Sequence, residues 1–172
     1  MTPGRLIRPW AEADREPTRA IFNQAVAETT TVWRWRQVDP PGWEAFCQAH
    51  RSGRHSFLVA EESGQVVGFA ATGPFRVPDG YELTGEDAIY IAPSAQGRGL
   101  GRALLGALIV SARAQGLHQL VAAVNAANTA SLALHRKLGF AQVGLLPQCG
   151  HKFGRWLDLA LLQLALDDHP QP

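Results

Sequence analysis

Gln96-Gly97-Arg98-Gly99-Leu100-Gly101 places three glycines and a cation between a strand-like run, Ala88 to Ile91, and a helix-like run that begins at Leu100. Residues of these types at the mouth of a helix can bind an anion. The first N–H groups of a helix have no partner within it, and the helix dipole favours negative charge there. Glycine permits positive φ and lets a ligand approach the backbone closely. Arg98 and Arg102 add positive charge at the rim. Two other phosphate-binding designs fit less well. A dinucleotide fingerprint needs a third glycine where Arg102 stands, and an acid further on, near position 120, where there is none. A nucleotide P-loop needs Gly-Lys-Ser/Thr, which does not occur. What remains is a tight turn whose amides converge on a diphosphate, or else a plain loop and helix cap.

The strand before the loop adds a second constraint. Pro93 has no N–H to donate, so pairing must break after Ile91-Ala92. If the next strand, Gln119 to Val124, diverges there, the backbone groups of Ile89, Tyr90 and Ile91 are left unpaired inside a wedge. An extended ligand carrying amides can add to such an edge as a pseudo-strand. A molecule with a diphosphate at one end and peptide-like amides in the middle is coenzyme A.

These segments must be held by a folded domain. At 172 residues the chain is long enough to bury a core, and one domain over residues 1–172 is expected. Apolar residues make up 46% and charged ones 18%. No apolar run approaches the ~20 residues that span a bilayer, and the first ten residues lack an apolar signal core, so a cytoplasmic protein with no membrane partner is expected. Cys47 and Cys149 lack metal-ligand spacing and the six histidines are scattered, which suggests no metal. The net charge of +1 hides a segregation. Residues 88–157 hold seven Lys/Arg and no acid, which implies a multiply charged anionic partner. The bases are spaced apart without interleaved aromatics, so a phosphorylated cofactor fits better than nucleic acid.

Periodicity predicts the order βααβββαβαββ. Short strand 6–8 precedes a helix from Asp14 to Val26, and Asp39 before Pro40-Pro41 starts a second helix that runs to Gly53. Two strands flank a Ser63-Gly64 turn. A strand over 88–93, a helix over 99–115, a strand over 119–124 and a helix capped by Asn128 follow. Strands over 140–146 and 155–166 close the chain. The fold class is α+β, an α/β three-layer arrangement with a mixed central sheet.

Taken together, Gln96-x-x-Gly99-x-Gly101 and Asn128-x-x-Ser131-x-x-x-His135-x-x-x-Gly139-Phe140 resemble the two cofactor segments of the GNAT superfamily of N-acetyltransferases. More narrowly, Gly73 to Arg76, Tyr81 to Ile91, Leu134 to Phe140 and Lys152 to Leu166 are similar to the phosphinothricin / methionine sulfone acetyltransferases. The resemblance implies a V-shaped split in the mixed sheet, with acetyl-CoA as co-substrate and a small amino-acid-like primary amine as acceptor. It also implies a homodimer, for which Lys152 to Trp156 and the strand after them are the candidate face.

The resemblance carries roles onto residues. Glu86 stands at the general-base position. A substrate ammonium must lose a proton before it attacks a thioester, and a carboxylate in a buried setting is a better base. Neighbouring Asp87 points to the opposite face of the strand. His135 stands where a donor to the leaving thiolate is expected, or is simply a helix histidine beside the cofactor. Asn128 is a helix N-cap, a partner for a pantetheine amide, or both, and the Ile91 N–H can serve as oxyanion donor. Arg76 corresponds to an arginine associated with the substrate's carboxylate. Tyr81 and Trp33 or Trp35 are candidate pocket walls. Three departures from the family pattern, Glu82, Gly85 and the stretch 29–41, bear on substrate identity. The competing readings are an acetyltransferase for a polyamine, an aminoglycoside or a protein N-terminus, and a non-catalytic acyl-CoA-sensing module.

Overall fold

Asp39 and Asn128 cap helices as their positions predict. The Asp39 carboxylate accepts the Gly42 N–H at 2.9 Å and the Asn128 amide oxygen accepts the Ser131 N–H at 3.1 Å. Pro40 and Pro41 open the first turn of the helix after Asp39, where a missing N–H costs nothing. The computed structural model describes residues 4–169. In chain order it contains β1 (Arg5–Pro9), α1 (Arg15–Glu28), α2 (Pro40–Ala49), β2 (Phe57–Glu62), β3 (Gln65–Pro74) and β4 (Thr84–Ile91). These are followed by α3 (Leu100–Ala114), β5 (Gln119–Asn125), α4 (Thr129–Lys137), β6 (Ala141–Lys152) and β7 (Arg155–Ala165). The order is the one read from periodicity, with boundaries moved by a few residues.

The strands form one seven-stranded sheet, ordered β1-β2-β3-β4-β5-β7-β6. Every pairing is antiparallel except β4 with β5. The β2–β3 turn places Ser63 at φ 51° and Gly64 at φ 80°, the left-handed pair whose twist suits a two-residue hairpin. Side chains alternate across the sheet into two cores. Phe57, Val59, Phe69 and Ala71 pack with Phe22 of α1 and Trp43 of α2 on one face. Ala60, Ala70, Leu120 and Ala122 pack with Leu104 and Leu108 of α3 on the other. The result is a three-layer mixed α/β domain.

The strand β6 runs six residues beyond its expected end at 146. Its register shifts between Leu146 and Gly150, and Gln148, at φ 50°, donates its N–H to the Asp158 carboxylate at 2.7 Å. The irregularity absorbs Pro147, which cannot serve a regular ladder. Gly85, an unexpected glycine, is buried, and a Cβ there would lie 2.9 Å from Leu117 Cδ1. The residue is small because α3's exit crosses close to β4.

Lys152 ends β6 and is not part of an exposed face. Its ammonium is buried and donates to three carbonyls, Val26 at 2.6 Å, Val32 at 2.7 Å and Thr29 at 2.8 Å. It thereby ties the end of α1 and the following segment to the far edge of the sheet. Burial holds this ammonium below the usual lysine range. Gly150 sits under the Trp33 ring, 2.3 Å from where a Cβ would stand. Lys152→Met would leave three carbonyls without their donor. Each buried unsatisfied group costs about 1–3 kcal/mol, so a loss of at least about 3 kcal/mol and a Tm lower by roughly 10 °C are expected. Calorimetry showing an unchanged Tm would contradict the clasp.

Candidate active site

The sheet opens where β4 meets β5. Their parallel pairing covers only Thr84, Gly85 and Glu86 against Gln119, Leu120 and Val121. Beyond that point β5 pairs with β7 to Asn125, while β4 continues against β3 to Ile91. Ala92 N–H donates to Val67 O at 2.9 Å. In this antiparallel register the even-numbered residues of β4 turn their polar groups toward β3, and Asp87, Ile89 and Ile91 turn theirs into the gap. Gln96 spans part of it, its side-chain amide donating to the Ile91 carbonyl at 3.0 Å.

Two hollows meet at the gap. The larger is a cleft of about 580 Å³ between the N-terminal ends of α3 and α4, with Ile89, Tyr90, Ile91 and Gln96 along it. Gly97, Gly99, Leu100 and Gly101 line its loop end, and Asn128, Ser131 and His135 line its α4 side. Gly97 and Gly99 adopt φ of 74° and 81°, which only glycine takes without strain. Among the described residues, the amides of 97–102 donate to no backbone carbonyl; the first bond of the turn is Ala103 N–H to Gly99 O at 3.2 Å. The turn therefore presents a run of free donors at a helix N-terminus, the arrangement that binds a diphosphate. Gly101 has a second reason to be small, since a Cβ there would approach Leu134 to 3.2 Å.

The two loop arginines do not line the cleft. Arg98 pairs with Glu62 at 3.0 Å and also donates to Ser94 O at 3.1 Å. Arg102 is exposed on the first turn of α3. The positive excess of residues 88–157 is partly spent inside the fold: Arg113 caps the Leu166 carbonyl at 2.9 Å, and Lys152 serves the α1 clasp.

The second hollow, about 440 Å³, has walls of Val32, Trp33, Phe46, Pro74 and Leu159. Glu86 and His50 are its polar members nearest the sheet, and Asp87, Tyr90 and Asn125 are shared with the first hollow. Glu86 is partly buried; burial raises its carboxyl above the ordinary range, Arg76 draws it down and Asp87 pushes it up, and the rise prevails. Arg76 Nη1 lies 4.0 Å from Glu86 Oε2, with its guanidinium over the Phe75 ring at 4.2 Å. Tyr81 falls outside both hollows, edge-on to Phe75 in an exposed turn. Of the two tryptophan candidates, Trp33 forms a wall and Trp35 is exposed against His151.

Asp87 lies on the opposite face of β4 from Glu86 and meets His135 of α4. His135 is buried, 1% exposed, with Nε2 3.3 Å from Asp87 Oδ2 and Nδ1 2.8 Å from the Ser131 carbonyl. Burial alone would depress its pKa; the hydrogen bond and charge of Asp87, with the Ser131 carbonyl, outweigh that and raise it. The sequence reading separated Asp87 from Glu86 but assigned it no part in the site. Within the stretch 29–41, marked from sequence only as a departure, Thr29, Thr30 and Thr31 edge the cleft, and Asn125 Nδ2 donates to Thr30 Oγ1 at 2.8 Å. A lone acid opening a strand and a run of three threonines are weak signals by themselves.

Among the described residues no group of three or more His, Cys, Asp or Glu is placed to hold a metal ion, and no helix is long and apolar enough to cross a membrane.

Residues 18–140 match the model of the acetyltransferase (GNAT) family. The chain is similar to an L-methionine sulfoximine/L-methionine sulfone acetyltransferase of Salmonella typhimurium, 44% identical over 96% of this chain and 97% of that protein. It is similar to a phosphinothricin N-acetyltransferase of Alcaligenes faecalis at 37% identity over 94% and 82% of the two chains. The fold matches an acetyltransferase of Salmonella typhimurium solved with its cofactor acetyl-CoA, with a TM-score of 0.95, 43% identity and 98% of each chain covered. A split sheet with an amide-lined cleft on one side and a carboxylate pocket on the other is thus joined to a family match over most of the chain: this protein is an N-acetyltransferase and belongs to the acetyltransferase (GNAT) family.

Proposed function

We propose that residues 1–172 form a single acetyltransferase domain that moves an acetyl group from acetyl-CoA to the primary amine of a small amino-acid-like substrate, of the methionine sulfone, methionine sulfoximine or phosphinothricin type. The observation that carries this is the meeting of the two hollows at the β4–β5 split, with Glu86 in one and the free loop amides at the far end of the other.

Acetyl-CoA, when bound, supplies the activated thioester. The amides of 97–102 grip its diphosphate, and the free edge of β4 at Ile89 and Ile91 pairs with its amide-bearing arm. Asn128 and Ser131 border that arm from α4. In the second hollow Glu86 accepts a proton from the substrate ammonium, directly or through water. Its raised pKa suits this task near neutral pH. The amine nitrogen then bonds to the acetyl carbon, its second proton passes to water as the carbon–sulfur bond breaks, and His135 gives its Nε2 proton to the departing sulfur. The Ile91 N–H faces the gap and can donate to the acetyl oxygen. Glu86 releases its proton to solvent and His135 regains one, so the site resets.

Arg76 beside Glu86 suits a zwitterion, whose carboxylate meets the guanidinium while its ammonium meets the glutamate. The walls of Val32, Trp33, Phe46 and Leu159 suit an uncharged side chain better than a polyamine or an aminoglycoside. Cys47 and Cys149 are free thiols, which a reducing cytoplasm would preserve.

The exposed apolar residues Val143, Leu145, Phe153 and Trp156 lie along the β6–β7 hairpin, at the edge of the sheet. Exposed apolar side chains along an edge hairpin suit a homodimer. Light scattering should give twice the chain mass of 18.6 kDa; a monomer at micromolar concentration contradicts this part.

The activity is tested with acetyl-CoA, a thiol-reactive dye and a panel of amines. Thiol release with methionine sulfone or phosphinothricin, and not with polyamines or aminoglycosides, is expected. Glu86→Gln should lower kcat by about a hundredfold or more with little change in coenzyme A affinity. Tight coenzyme A binding without turnover on any amine would favour the sensing module, and unchanged turnover in Glu86→Gln would remove Glu86 as the base.

A further inference from the structure

The buried contact between α4 and β4 fixes more than the position of a histidine. His135 Nδ1 lies 2.8 Å from the Ser131 carbonyl oxygen, an atom that can only accept a hydrogen bond. The Ser131 hydroxyl is further off, at 3.4 Å. Nδ1 therefore carries a proton. Nε2 faces the Asp87 carboxylate, 3.3 Å from Oδ2 and 3.4 Å from Oδ1. An unprotonated Nε2 would set a lone pair against a carboxylate that is only 4% exposed. The Phe140 ring lies edge-on to the imidazole at 5.0 Å, and His135 also borders the cofactor cleft. Asp87 is the charged group that meets the ring; Glu86 occupies the other face of β4, in the second hollow.

We propose that Asp87 is a positioning residue that fixes His135 as a doubly protonated imidazolium where the cofactor cleft joins the acceptor pocket. This rests on the acetyl-transfer reading above and extends it to the acid beside Glu86, on the opposite face of β4. Asp87 lines both hollows, and its carboxylate, 4% exposed, meets His135 Nε2 at 3.3 Å. When His135 passes its Nε2 proton to the thiolate, the neutral ring is left facing Asp87. That repulsion favours recapture of a proton from solvent before the next turnover. The direction of the histidine's pKa shift agrees with the geometry.

The sign follows directly. A histidine whose pKa is raised keeps its proton to higher pH, so the alkaline limb of the kcat profile lies above the ordinary histidine value of about 6.5. Removing the carboxylate moves that limb to lower pH. In Asp87→Asn, kcat at pH 8 should fall about tenfold or more, KM for acetyl-CoA should stay within about twofold, and the alkaline limb should move down. Wild-type enzyme in the same assay establishes whether acetyl transfer occurs at all, so a failure of that reading is separable from a failure of this one. Nitrogen-15 NMR of the wild-type protein gives a check that needs no variant. Both ring nitrogens of His135 should report as protonated at pH 7. A neutral ring with one bare nitrogen at pH 7, or an Asp87→Asn enzyme with the wild-type pH profile, overturns the proposal.

Discussion

The parting of β4 from β5 after Glu86 is the constraint on which the rest of the molecule depends. A parallel pair that stays closed satisfies its own backbone and leaves nothing for a ligand. Here three residues pair and then separate, so the amides of Ile89 and Ile91 face an opening instead of a neighbour. A buried backbone amide without a partner is costly, and the opening is tolerated because it is lined by polar groups that a ligand or water can serve. Pro93, which cannot donate, stands just past the strand's end, where β4's pairing with β3 stops. The glycine turn that follows carries free donors to the same cleft, so a single run from Glu86 to Arg102 builds carboxylate, edge strand and anion site in sequence.

The surrounding structure holds that gap at a fixed width. On one face an aromatic core, with Phe22, Trp43, Phe69 and Tyr90 in edge-on and tilted contact, fixes β3 and β4 against α1 and α2. On the other, leucines of α3 seat the glycine turn over the sheet. The three-carbonyl grip of Lys152 holds the 29–33 segment in place, and with it the Trp33 wall of the second hollow. A lone buried ammonium is expensive unless every proton finds an acceptor, and here all three do. That wall is thus positioned by a residue more than a hundred positions further along the chain.

Local signals in the sequence were legible because their physics is local. The glycine turn, the Asp39 and Asn128 caps, the Ser63-Gly64 hairpin and the proline that ends β4 each act over a few residues, and the structure places all of them as expected. What the sequence concealed depends on distant partners. Nothing near Lys152 announces that it turns inward to α1, and its place in a basic, aromatic stretch suggested a surface. Asp87 reads as a second acid at a strand start until α4 brings His135 against it. The charge excess of residues 88–157 suggested an anionic ligand, yet Arg98, Arg113 and Lys152 are engaged within the fold. The donors that line the loop end of the cleft are backbone amides, which no count of charged residues reveals.

Backbone amide hydrogen exchange, with and without saturating acetyl-CoA, tests the central claim most directly. Exchange should slow at Ile89, Ile91 and residues 97–102, while the amides of Ala88 and Tyr90, already paired to β3, change little. Unaltered exchange along the free edge of β4 and the glycine turn, with acetyl-CoA bound, would contradict the account.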